Sequence, residues 1–211
     1  MVGESKMNEE HFWKREFRQE LAHSVADVFA WHQRPGAIHR LMPPWQPVQV
    51  EQEADNLRDG VARLSLPAGR SWVARHLPDQ FIDGSQFVDR LDSRPFLLPI
   101  GWLHQHTFAP AGAGSELVDR VATRMPGRLI DAMFRYRHRQ LEDDLAAHAL
   151  FADRPRLTVA VTGASGLVGS ALAPFLTTGG HDVIRLVRSD SPGVGERTWD
   201  PENPDSASLA G

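Results

Sequence analysis

The chain has 211 residues, 41% of them hydrophobic and 24% charged, with a formal net charge of −4. That length holds one large domain or two small ones of ordinary globular composition, and the charge offers no attraction for nucleic acid or an anionic membrane. The absence of cysteine excludes disulfides, thiolate chemistry and cysteine-ligated zinc. No apolar run approaches the ~20 residues of a membrane span. The polar start, Met1 to Glu10, lacks a signal-peptide core, so the cytoplasm is the expected location.

Residues 1–11 read as a disordered terminus, and His11 to Leu21 as a charged edge strand. Ser24 is a good helix N-cap, followed by Asp27 in the first turn and an apolar face of Val25, Val28 and Phe29. Pro35-Gly36 stops that helix, and Ala37 to Leu41 adds one more turn before the rigid loop Met42-Pro-Pro-Trp45.

From Val48 the apolar period becomes two. Val48 and Val50, Val61 to Leu66, Trp72 and Val73, and then Phe81, Phe87, Val88 and Leu91 form short runs. Asp59-Gly60, Pro67-Ala-Gly69, Asp83-Gly84 and Ser93-Arg-Pro95 punctuate them, which predicts an antiparallel meander. Trp102 to Phe108 and Glu116 to Ala122 add two strands around Ala111-Gly-Ala-Gly114. A long helix follows from Pro126-Gly127 to about Leu150. Its apolar stripe is Ile130, Met133, Phe134, Leu141, Leu145 and Ala149, with Glu142, Asp143, Asp144 and the arginines turned outward. A helix of this kind requires a surface to pack on. The meander supplies one, giving an α+β helix-grip arrangement with a cavity between sheet and helix.

Residues 151–156 read as a linker, with Pro155 forbidding a continuous helix. Leu157 to Val161 then reads as a buried parallel strand. Gly163, Gly166 and Gly169 follow at intervals of three, then a helix from Leu167 to about Thr178 and a second strand, Asp182 to Val187. Pro174 predicts a distortion inside that helix, since proline in a helix interior costs about 3 kcal/mol. Strand, glycine turn and helix is the arrangement that cradles a pyrophosphate. One glycine makes the tight turn, one admits the phosphate to the backbone, and one packs helix on strand. The helix N-terminus then presents N–H groups to the anion. The plainer alternative is a glycine turn in some other α/β unit.

Thr162-Gly-Ala-Ser-Gly-Leu-Val-Gly169 resembles the fingerprint of the extended short-chain dehydrogenase/epimerase family. The resemblance implies the first βαβ unit of a Rossmann fold, with Gly163, Ser165, Gly166, Leu167, Val168 and Gly169 at the cofactor. Where an NAD site carries an acid for the ribose and an NADP site an arginine, this chain has Arg188 and Ser189. NADP(H) is therefore expected over NAD(H), although Asp190 lies one position beyond the usual acid. Trp199-Asp-Pro201 is also similar to that family.

The stretches Phe29 to Trp45, Trp102 to Phe108, Phe134 to His138 and Asp144 to His148 resemble the START-like (SRPBCC) domain, in the version fused in front of an epimerase-family domain. This likeness spans residues 12–150 and implies a hydrophobic or aromatic small molecule as ligand, without naming it. Trp102, His104, His106 and His148 are the candidate pocket residues. His104 and His106 share one face of a strand. With His148 they would make either a three-nitrogen metal site or the polar corner of a pocket, and the pocket is preferred, with no metal expected. Trp45, Trp72 and Trp102 suit core packing better than ligand stacking. The cluster Arg135, Arg137, His138 and Arg139 reads as a solvated helix face or a contact to a second domain.

The resembled family catalyses with a tyrosine and a lysine four residues later. Here the tyrosine is Tyr136, its fourth neighbour is Gln140, and the lysines are Lys6 and Lys14, so no catalytic residue is assigned. With two strands recognised after residue 157, residues 157–211 read as a partial NAD(P)-binding domain, and the chain as the N-terminal portion of an epimerase/dehydratase-family oxidoreductase. One alternative is a non-catalytic START-like binding or sensing protein. Another is a polyketide-cyclase-like enzyme using the histidines.

Overall fold

A computed structural model describes residues 13–96 and 100–202, so the expectation of disorder over 1–11 lies outside the described residues. The chain forms two compact units, each discontinuous in sequence. The first comprises residues 1–26 and 47–135, the second residues 27–46 and 136–211.

The first unit is built on a seven-stranded antiparallel sheet: β1 (Trp13–Leu21), β2 (Gln49–Gln52), β3 (Val61–Leu66), β4 (Arg70–His76), β5 (Gln86–Leu91), β6 (Trp102–Ala111) and β7 (Gly114–Thr123). Strand order is β1-β7-β6-β5-β4-β3-β2, a meander from β2 to β7 with β1 added at its edge. The period-two reading is borne out, and so is the charged edge strand. One run differs. Phe81 and Ile82 lie between a 3₁₀ turn at Pro78–Gln80 and a single bridge from Ile82 to Gln86. Pro78 and the Asp83-Gly84 turn leave too few residues there for a ladder.

Alternation sets the two faces of the sheet. Along β6, Trp102, His104, His106 and Phe108 are buried, while Leu103, Gln105 and Thr107 are half-buried. The long helix α3 (Gly127–Ala149) begins in this unit. Ile130, Met133 and Phe134 from its first turns pack with Trp102 and Val121, and Phe17, Trp72, Leu91 and Met125 flank them. Phe17 stacks on Phe134 at 4.4 Å between ring centroids. Burying one such side chain is worth about 1.5–3 kcal/mol.

The second unit contains most of α1 (Val25–Gln33), α2 (Ala37–Leu41), the rest of α3, and a three-stranded parallel sheet with its helix. The sheet strands are β8 (Thr158–Thr162), β9 (Asp182–Val187) and β10 (Glu196–Thr198), in the order β10-β9-β8, and α4 (Gly169–Thr178) connects β8 to β9. The two-strand reading is thus corrected to three. β10 is only Glu-Arg-Thr, an edge strand with no apolar run to announce it. Helix α4 starts at Gly169 rather than Leu167 and contains Pro174. Against its Pro174–Thr177 stretch lies Gly36, with φ of 95°. A Cβ at Gly36 would come within 2.8 Å of the Pro174 backbone and the Thr177 hydroxyl, so nothing larger fits.

A second correction concerns Asp144, expected to face outward. It is buried at 2% exposure, because its position three after Leu141 and four before His148 keeps it on the inner stripe. Arg40 grips it bidentately, Nε to Oδ2 at 2.8 Å and Nη2 to Oδ1 at 2.7 Å.

Candidate functional site

In the second unit, the fingerprint lies at the carboxyl end of β8. Gly163 turns the chain with φ of 62°, a conformation natural to glycine. Its carbonyl accepts the Gly166 amide at 2.9 Å, closing a tight loop. Gly169 must be small, since a Cβ there would lie 2.6 Å from the Ala164 Cα. The first glycine therefore acts in the turn, and the third lets the start of α4 pack closely against that turn. Ser165 is exposed, as are Leu167 at 93% and Val168 at 73%. Val168 is the N-cap of helix α4 and supplies no side-chain cap, while the Ser170 and Ala171 amides donate to the Gly166 and Val168 carbonyls at 2.9 and 3.1 Å.

Arg188 and Ser189 follow β9 directly and are exposed. Thr162 pairs in register with Leu186 in the parallel ladder. The structure therefore brings the glycine turn and Arg188 to the same end of adjacent strands. Ser189 is engaged locally: its hydroxyl donates to the Ser191 carbonyl at 3.2 Å, and its own carbonyl accepts the Thr198 hydroxyl at 2.6 Å.

His148 also belongs to this unit. Its ring stacks on Phe175 at 4.5 Å and lies 3.4 Å from the Thr178 hydroxyl. Burial, aided by the nearby Arg34, Arg156 and His181 and opposed by Asp144, pushes its pKa down to about 4. Tyr136 donates to Gln140 at 3.2 Å. Burial pushes its pKa up, with Asp144 adding to the rise and Arg40 opposing it. That is the reverse of an activated catalytic tyrosine.

The first unit holds a denser constellation. His104 and His106 do share one face of β6, with ring centroids 3.9 Å apart. Strand register supplies two carboxylates that the sequence reading did not single out. Asp89 of β5 sits directly opposite His104, and Asp119 of β7 directly opposite His106. His104 Nδ1 lies 3.2 Å from Asp89 Oδ2, and its Nε2 2.9 Å from Asp119 Oδ1. His106 Nδ1 lies 2.7 Å from the same Asp119 oxygen, and its Nε2 4.0 Å from Asp89 Oδ2. The Trp102 indole donates to Asp89 Oδ1 at 2.9 Å. Aromatic walls close the group: Phe87 stacks on His106 at 4.0 Å, and Phe134 meets the His104 ring edge at 5.1 Å.

Burial works against charge on His104. Its hydrogen bonds to Asp119 and Asp89, together with their charge, outweigh that and raise its pKa. Burial would raise Asp89 as well, but the hydrogen bond from His104 and the charges of His104, His106 and His76 bring it down to about 2. Both are cases of a partnered ion winning over desolvation. A sequence signal for the carboxylates existed. Phe87, Asp89 and Leu91, and likewise Leu117, Asp119 and Val121, each place an acid in the apolar phase of a strand.

No family model matches the chain. A 48-residue segment is 42% identical to "Epimerase family protein ML0860" of Mycobacterium leprae, covering 23% of this chain and 16% of that protein. The crystal structure of the nucleoside-diphosphate sugar epimerase from Corynebacterium glutamicum superposes with a TM-score of 0.87 at 41% identity, over 92% of this chain and 43% of that one. The chain thus spans less than half the length of either relative, and it is similar in sequence and in structure to epimerase-family proteins.

Proposed function

We propose that the chain carries the ligand-binding and phosphate-binding portions of an NADP-dependent epimerase or oxidoreductase. Residues 157 onward begin a Rossmann fold, in which the amides at the start of α4 receive the dinucleotide pyrophosphate and Arg188 receives the 2′-phosphate. The observation that carries this reading is the meeting of the glycine turn after β8 and Arg188 after β9 at one end of a parallel sheet. The likeness to a nucleoside-diphosphate sugar epimerase supports the same class of chemistry. The cofactor supplies hydride transfer, and this chain's own residues bind and orient. The first unit is read as a START-like domain taking a small hydrophobic or aromatic molecule between its sheet and the start of α3.

Titration of the protein with NADPH and NADH tests the cofactor assignment. NADPH is expected to bind more tightly. Arg188→Ala should reduce that preference at least tenfold while leaving NADH affinity nearly unchanged, since a charge-assisted contact is worth about 1.5–3 kcal/mol. Equal affinities for the two cofactors in the wild type would overturn the role of Arg188 and move attention to Asp190.

A further inference from the structure

We propose that Asp89, His104 and His106 form a binding site for one divalent first-row transition metal ion, with Asp119 as the outer partner of both histidines. Three observations converge on it. Ligand atoms of Asp89, His104 and His106 lie within 4.8 Å of one another. Two ligands each about 2.0–2.1 Å from one metal must themselves lie about 3.0–3.4 Å apart. His104 Nδ1 and Asp89 Oδ2 are already 3.2 Å apart, and His106 Nε2, at 4.0 Å from Asp89 Oδ2, needs to close by about 0.6–1 Å.

The second observation is the direction of the remaining ring nitrogens. A ligating histidine ordinarily donates its other N–H to a carboxylate or carbonyl, which fixes the tautomer and turns the free nitrogen toward the metal. Here His104 Nε2 hydrogen-bonds Asp119 Oδ1 at 2.9 Å, and His106 Nδ1 lies 2.7 Å from the same oxygen. The hydrogen bond to Asp119 selects the Nε2–H tautomer of His104, and the placement of the two rings leaves His104 Nδ1 and His106 Nε2 facing Asp89. The Trp102 indole in turn holds the second Asp89 oxygen, so Oδ2 is the one presented.

The third observation is charge. With both rings neutral, the two carboxylates carry two negative charges in a site walled by Phe87 and Phe134. A divalent ion brings that sum to zero. Two imidazoles and one carboxylate suit zinc, iron(II) or cobalt(II) rather than calcium or magnesium.

The test is titration of the chelator-treated full chain with Zn²⁺ against a chromophoric competitor, and with Co²⁺ followed by visible absorption. One equivalent should bind. His106→Gln and Asp89→Asn should each weaken binding at least about 100-fold, and Asp119→Asn about 10–100-fold. His148→Gln should leave binding unchanged. Binding that survives His106→Gln and Asp89→Asn at wild-type affinity would overturn the site, as would no binding below millimolar metal. Circular dichroism identifies any variant that fails to fold. For that case, ring ¹⁵N shifts in the wild type decide the matter. Zn²⁺ must move His104 Nδ1 and His106 Nε2, and unmoved resonances overturn the proposal.

Discussion

Each unit buries a carboxylate and satisfies it with a cation, but in opposite ways. In the second unit Asp144 meets Arg40 through two parallel hydrogen bonds, and Gln140 adds a third at 2.8 Å. The guanidinium spends its last nitrogen on the Ala171 carbonyl at 3.3 Å and lies over the Phe175 ring. The bond to Asp144 raises the Arg40 pKa further, so the cation cannot be titrated away. In the first unit, Asp89 and Asp119 meet histidines, whose protons are exchangeable near neutral pH. One arrangement is a fixed staple between α2 and α3. The other is a network whose members can change protonation state or partner. What differs is the cation chosen, and that choice separates a structural ion pair from a site able to do chemistry.

The staple should be the costliest to break. Asp144→Ala leaves the Arg40 cation, with 16% of its side chain exposed, facing the space its partner vacates. Removing one partner of a buried pair costs about 3–5 kcal/mol. Arg40→Met combined with Asp144→Leu should recover most of that loss, because no orphaned charge remains. Hydrogen exchange of the α2 and α4 amides and urea unfolding at neutral pH measure both. A double variant no more stable than Asp144→Ala would show that the pair's value is not electrostatic.

Neither staple nor network was fully legible in the sequence, and the reason is common to both. The antiparallel strands, the long helix and the glycine turn follow from periodicity and turn chemistry, which are local. His104 and His106 were visible because two residues of one type stood two apart on a predicted strand. Asp89 and Asp119 join them only through the β5–β6 and β6–β7 register, and register between strands is not written in either strand alone. Asp144 looked like part of the acidic run Glu142-Asp143-Asp144 until Arg40, 104 residues earlier, claimed it. β10 was missed because three polar residues at a sheet edge carry no pattern. His148, grouped by sequence with the β6 histidines, takes its neighbours from α4 instead.

The network should respond to pH on both sides. Asp89 titrates at about 2 in the folded protein against an ordinary 3.8. At about 1.36 kcal/mol per pH unit, its depressed value contributes roughly 2 kcal/mol. That contribution is complete above the unfolded value and is lost as pH falls from about 4 to about 2. His104 has the opposite sign. Its folded pKa is raised above 6.5, so its contribution is complete below about 6.5 and is lost as pH rises through the folded value. Stability measured by denaturant titration should therefore fall toward both ends of the range. Asp89→Asn should flatten the acid limb and His104→Gln the alkaline one. An acid limb unchanged in Asp89→Asn would place the acid sensitivity elsewhere.

The smallest effect separates the two histidine environments most directly. His104 is raised because two carboxylates hold its nitrogens, whereas His148 is lowered to about 4 because burial dominates and its main ring contact is Phe175. A depressed folded value means that the His148 contribution is complete above about 6.5 and disappears as pH falls toward 4. It should be modest, since solvent reaches part of the ring. Ring-proton NMR titration should give a midpoint above 6.5 for His104 and near 4 for His148. Gly179 offers a way to move only the second. A Cβ there would lie 2.8 Å from the His148 ring, and the backbone at Gly179, with φ of −72°, accepts alanine without strain. Gly179→Ala should therefore push the ring outward into water and return its midpoint toward 6.5, leaving His104 where it was. A His148 midpoint still near 4 in that variant would mean that the neighbouring cations, and not burial beneath α4, set its value.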